Sequence, residues 1–145
     1  MKTKFNVVCV LFLMLAFAVA CNPVEEKNAA DAVAKNFFES VIAQDFDKAL
    51  TFYGQQFFQK TSREEWLSSL KNINAKLGDL QKYEQTSWRI NANAGTALNG
   101  TVFTYQYKTT YSKYPADETL VLFKPTGGKE IQIIGHNINS AGFLK

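Results

Sequence analysis

Cysteine is almost missing from this 145-residue chain, occurring only as Cys9 and Cys21. Everything after Asn22 therefore lacks a disulfide framework, a thiolate metal site and a cysteine nucleophile. Histidine occurs once, as His136, which excludes a His-Glu-x-x-His zinc motif, and no Gly-x-Ser-x-Gly elbow or glycine-rich phosphate loop is present. A metal site on His136 would need Asp or Glu donors, and none cluster near it in sequence. No metal or other cofactor is expected. Basic runs are missing too: Lys35, Lys48, Lys60, Lys71 and Lys82 are scattered, so the electrostatic footprint of nucleic-acid binding is absent. The longest apolar run, Val7 to Ala20, is shorter than the roughly 20 residues that span a bilayer.

What is present fits one packed domain. Apolar residues make up 46% of the chain and aromatics 14%, enough for a core and too much for a disordered chain. The formal charge of +3 owes two units to Lys2 and Lys4, and the remaining 14 basic and 13 acidic residues nearly balance.

Lys2 and Lys4, the apolar run, and then Ala18, Val19 and Ala20 before Cys21 follow the plan of a secretory leader, expected over residues 1–20. Ala18-Val19-Ala20-Cys21 resembles the bacterial lipoprotein box. That resemblance implies cleavage before Cys21, acylation of its sulfur and anchorage of the domain to the membrane. Plain secretion with a cut at the same bond is the alternative, and it would leave a lone thiol at the new N-terminus. Asn22 stands where an Asp would retain a lipoprotein in the inner membrane of enteric bacteria, so the resemblance favours the outer membrane, facing the periplasm. Residues 21–27 are expected as a lipidated tether and 28–145 as the domain.

Along the domain, Ala30, Val33, Phe37 and Val41 recur at three and four and predict an amphipathic helix from Asn28 to Gln44. Asp47 is expected to cap a second helix from Lys48 to Tyr53, closed by Gly54, with Phe57 and Phe58 in a connector. Ser62 followed by Glu65 forms a capping box for a third helix, which carries Trp66, Leu70, Ile73 and Leu77 and ends at Gly78. Strands follow: Leu80–Ile90 with weak alternation, then Thr101–Tyr111, where Phe103, Tyr105, Tyr107 and Tyr111 share one face opposite Thr104, Gln106, Lys108 and Thr110. Lys113–Asp117 reads as a connection, and Glu118–Lys124 and Glu130–Ile138 as the last strands, parted by Gly127-Gly128. Three helices followed by about four antiparallel strands is an α+β layout.

That order is similar to the nuclear transport factor 2-like superfamily, in which a bent antiparallel sheet wraps helices as a cone. Within it, Ser62 to Trp66, Leu77-Gly78, Gln106 to Thr109 with Tyr111, Glu118 and Ile133 to Gly135 resemble a bacterial family of small secreted domains of unknown function. The resemblance implies the fold but no single activity, because the superfamily holds isomerases, dehydratases, transport factors and inert modules.

Each candidate residue has two readings. His136, counted by twos, shares a face with Gln132, Ile134 and Ile138, opposite Ile131 and Ile133; it is either a structural side chain or a general base. Asp117 and Glu118 open a strand, where a carboxylate pairs with Lys108 or Lys113 or else projects inward as the base of a ketosteroid isomerase-type site. Tyr105, Tyr107 and Tyr111 are core wall, or the lining of a pocket for a small apolar ligand. Asp45, Asp47, Glu64 and Glu65 are explained by helix termini. The leading expectation is a lipid-anchored, non-enzymatic domain that binds an apolar ligand or an envelope protein. A small isomerase or dehydratase is the alternative, and pairing of sheets into a homodimer a third possibility.

Overall fold

The computed structural model describes residues 23–95 and 98–145; the leader and Cys21 lie outside the described residues. The chain is an α+β domain in which helices pack against one face of an open four-stranded antiparallel sheet. The helices are α1 (Pro23–Ile42), α2 (Phe46–Leu50), α3 (Gln55–Phe58) and α4 (Arg63–Leu77). The strands β1 (Leu80–Asn93), β2 (Gly100–Tyr111), β3 (Pro115–Pro125) and β4 (Gln132–Asn139) pair in sequence order, and a 3₁₀ turn (Ala141–Leu144) follows.

The first helix starts at Pro23, five positions ahead of Asn28, so residues 23–27 are helix where a tether was expected. Proline suits a first helical turn because the amide it lacks has no partner there. Gln44 ends α1 with φ +57°, while the amides of Gln44 and Asp45 return to the carbonyls of Val41 and Ser40. This is the left-handed stop more often built on glycine. Asp45 then opens α2, its carboxylate accepting from the Lys48 amide at 3.0 Å, so the cap sits two residues before the expected Asp47. Phe46 thereby falls inside the helix, on its buried side. The Phe57–Phe58 connector is a single helical turn, and the helix expected third is the fourth. Its capping box is formed reciprocally: Glu65 N–H donates to the Ser62 hydroxyl at 3.1 Å, and Ser62 N–H to the Glu65 carboxylate at 2.8 Å.

The tyrosine strand β2 is the centre of the core. Phe103, Tyr105, Tyr107 and Tyr111 all turn inward with Thr109, and Phe37, Phe38, Val41, Leu70 and Leu77 cover them. The weak alternation of β1 has a physical cause, because register shifts after Leu80 and after Gln85 reverse its parity twice. The third strand begins at Pro115, inside the segment expected to be a connection. A proline is tolerated as the first residue of a strand, and Thr109 Oγ1 donates to the Ala116 carbonyl at 3.1 Å just beyond it.

The fourth strand carries the decisive irregularity. Leu120 faces His136 and Leu122 faces Ile133, so three residues of β4 span what two cover on β3. The bulge at Ile134-Gly135 places His136 on the same inward face as Ile133, where strict alternation had set them on opposite faces. A Cβ on Gly135 would sit 3.3 Å from the Val121 side chain. The outer edge of β4 is closed at Ile133 by a parallel bridge to Tyr53, with Gly54 N–H on the Ile133 carbonyl at 2.8 Å. Strand β1 forms the opposite edge.

Candidate functional site

The bulge in β4 and the aromatic face of β2 bring together a chain of four polar side chains inside the core. The Tyr111 hydroxyl donates to Glu118 Oε1 at 2.7 Å. Glu118 Oε2 meets His136 Nε2 at 2.9 Å, and His136 Nδ1 meets the Tyr53 hydroxyl at 2.7 Å. Both side chains of the His136–Glu118 pair are only 1% exposed. With Glu118 as the carboxylate, one assignment of protons satisfies every atom: Nε2–H donates to Glu118, and Nδ1 of the neutral imidazole accepts from Tyr53.

Aromatic rings wall the imidazole on several sides. Phe37 lies edge-on at 5.4 Å, Trp66 at 5.8 Å, and Tyr53 at 6.2 Å with its plane tilted by 30°. Burial pushes the Tyr53 phenol well above its ordinary pKa; the nearby Trp66 indole N–H opposes this in part, although its geometry is not that of a hydrogen bond, and the Glu118 charge adds to the rise. Tyr111 is raised by burial first and by the Glu118 charge second. Both hydroxyls thus remain protonated donors.

A carboxylate, an imidazole and two phenols have the makings of proton transfer. Space is what they lack. The void beside them, lined by Phe37, Leu70, Asn74, Tyr111, Glu118 and His136 among others, measures about 10 Å³. That is room for one water, far from the 300 Å³ or more of a ligand pocket. Asn74 Oδ1 borders this void, buried and without a hydrogen-bond partner.

The structure separates the residues singled out in the sequence. Glu118 and His136 come together, and neither Lys108 nor Lys113 pairs with Glu118. Lys108 instead stands across from Asp117 in the β2–β3 ladder, and Lys113 donates to the Ala75 carbonyl at 2.8 Å. Asp117 is exposed on the other side of the sheet, away from the quartet. Each tyrosine hydroxyl has a partner within the chain: Tyr111 has Glu118, Tyr107 accepts from Gln85 at 3.3 Å, and Tyr105 reaches the Lys27 carbonyl at a long 3.5 Å. Burial again dominates the raised pKa of Tyr105 and Tyr107, and the Asp31 carboxylate contributes to both. Tyr53 was not anticipated, because it follows a five-residue helix and nothing in its spacing points toward His136.

Open concavities lie elsewhere. A groove of about 360 Å³ between α1 and β1 is lined by Asp31, Lys35, Tyr83, Gln85 and Tyr107. A cleft of about 430 Å³ at the end of the sheet includes Tyr114, Asp117 and Ser140. Among the described residues no group of acidic, histidine or cysteine side chains is arranged to hold a metal ion, and no helix is long and apolar enough to cross a membrane.

A family described as a protein of unknown function (DUF4019) matches residues 33–135, more than two thirds of the chain. The chain belongs to this family. The matched span includes Tyr53, Tyr111 and Glu118 and ends at Gly135, next to His136. Among solved structures, Bdellovibrio bacteriovorus Bd1075 is similar in fold, with a TM-score of 0.55 at 18% identity. The likeness covers 80% of this chain and 41% of that one, so the DUF4019 chain spans about two fifths of the length of its structural neighbour. No curated protein matches it.

Proposed function

We propose that this DUF4019 protein is a lipid-anchored, non-enzymatic domain of the bacterial envelope, held to the membrane by acylated Cys21, that binds a small apolar ligand at its surface. The observation that carries the non-enzymatic part is the sealing of His136 and Glu118, each 1% exposed beside a void of about 10 Å³. In this reading the quartet is a polar clamp that holds β4 in register with β3 and ties both to β2 and to the segment after α2. The leader, with small residues before Cys21, supports the anchor. The order of elements and the helices held against one sheet face support placement among the nuclear transport factor 2-like folds. The ligand reading centres on the α1–β1 groove, which Tyr83 and Tyr107 line beside the polar Gln85 and Asp31.

Mass analysis of the mature N-terminus tests the anchor, and the expected result is a diacylated Cys21. A thermal-shift screen of apolar metabolites tests the groove; a stabilising ligand should lose its effect in Tyr83→Ala. The enzymatic alternative has one observation in its favour, the Tyr111–Glu118 contact of 2.7 Å beside an imidazole. Isomerisation of a β,γ-unsaturated ketone that disappears in His136→Gln would overturn the non-enzymatic reading. Sedimentation of the protein without its acyl chains would detect a homodimer.

A further inference from the structure

The position of α1 relative to Cys21 has a consequence for how the domain sits on its membrane. The helix begins at Pro23, two positions after the proposed acylation site. Whatever their conformation, two residues reach no more than about 7 Å. The headgroup layer on each side of a bilayer is itself roughly 5–8 Å deep. Acylation of Cys21 therefore brings the first turn of α1 to the level of the headgroups.

That turn is tied to the sheet. Glu26 Oε1 pairs with Lys124 Nζ at 2.7 Å, and its Oε2 accepts from Thr101 Oγ1 at 3.2 Å. Lys27 is fixed by Asp31 at 2.6 Å. The anchor thus pulls on β2 and β3 through a rigid connection, and it selects one end of the sheet to face the lipid.

The surface at that end suits a bilayer. Of the four large apolar side chains exposed among the described residues, Val24 (63%) stands in this turn and Trp88 (53%) lies on β1 beside Lys27. Lys27 is one helical turn from Val24, and its Nζ stands 5.1 Å from the centre of the Trp88 ring. Ile42 is at the other end of α1, roughly 30 Å away at 1.5 Å per residue. An amphipathic indole beside a long cationic side chain is the chemistry that settles at headgroup depth.

We propose that Val24, Lys27 and Trp88 form a membrane-contact face, on which the domain rests against the phospholipid headgroups with its sheet held in one orientation. The proposal rests on the acylation of Cys21 proposed above.

The test uses the full acylated chain in phosphatidylethanolamine–phosphatidylglycerol vesicles that carry brominated acyl chains. Tryptophan emission should be partly quenched in the wild type. The quenched part should vanish in Trp88→Phe, leaving the emission of Trp66, which is partly buried against the core. Val24→Asp should weaken the quenching while the protein still floats with the vesicles. Protein that floats, carries acyl chains on Cys21 and yet keeps Trp88 unquenched and accessible to iodide would overturn the contact face and leave the anchor standing. Protein that neither floats nor carries a modified Cys21 would overturn the anchor, and the contact face with it.

Discussion

The Tyr53 hydroxyl and Nδ1 of His136, 83 residues apart in sequence, meet at 2.7 Å. Their contact joins the segment after α2 to the last strand, and through Glu118 it continues to Tyr111 on β2. The core of this protein is held by a line of proton donors and acceptors as well as by apolar packing. Such a line is costly to break at one point and cheaper to remove whole.

His136→Leu alone should therefore destabilise the domain by about 3–5 kcal/mol, because it leaves Glu118 Oε2 and the Tyr53 hydroxyl buried without partners. Tyr111→Phe should cost about 1–3 kcal/mol. Combining His136→Leu with Glu118→Leu should recover much of the loss. Urea unfolding of the single and double variants gives the comparison, and a double variant no more stable than His136→Leu would show that the carboxylate does not depend on its partner.

Four tyrosines set the behaviour in base. Burial holds the phenols of Tyr53, Tyr105, Tyr107 and Tyr111 above the ordinary value of 10.0. A group whose pKa is higher in the folded state contributes its stability in full below the unfolded value and loses it as pH rises above that value. The domain should accordingly weaken above about pH 10. Tyrosinate absorbance from these residues should appear together with loss of secondary structure, not before it. Tyr107→Phe should make stability fall less steeply with pH.

The capping box of α4 gives an acid-side counterpart. The Ser62 amide, and secondarily the Ser62 and Thr61 hydroxyls, lower the pKa of Glu65 from its ordinary 4.5. Its contribution is present above that value and fades as pH falls through the lowered folded one. Ser62→Ala should cost about 1 kcal/mol at neutral pH. The loss is measurable by thermal unfolding, and because the Ser62 amide remains, most of the acid sensitivity of α4 should survive the substitution.

Gly78 ends α4 at φ +85°, ψ −170°, and a Cβ there would fall 2.1 Å from Ser112 Oγ and 3.0 Å from the Lys113 amide nitrogen. This is not the left-handed helical conformation usual for a glycine cap; it is a mirror-extended one that side chains avoid more strongly. Gly78→Ala should cost about 1–3 kcal/mol. A thermal midpoint unchanged by the substitution would show that the turn relaxes freely.

Much of this architecture was legible from local rules. The capping box, the alternating β2 face and the stripe of α1 each state their structure within a few residues, because propensity and pattern agree there. The quartet was not legible, and the reason lies in β4. One extra residue at Ile134-Gly135 reverses the parity on which the orientation of His136 was counted, and only the Gly135 dipeptide context hinted at a bulge. Of the two readings of Glu118, the pairing with Lys108 or Lys113 fails for a related reason. Its strand starts three residues earlier, at Pro115, so a carboxylate expected at a solvated strand end lies well inside the ladder. Tyr53 depends on a parallel bridge to Ile133, a contact that no local pattern announces.

The same bridge also gives the sheet a direction of growth. With its edge blocked at Ile133 by the Tyr53 segment, β4 offers no clean template for another strand there, while β1 runs fourteen residues as the edge strand among the described residues. A second copy that docked edge to edge through β1 would leave only the blocked β4 edges outward. Strand-by-strand association by this route is hindered beyond a pair by the bridge at Ile133.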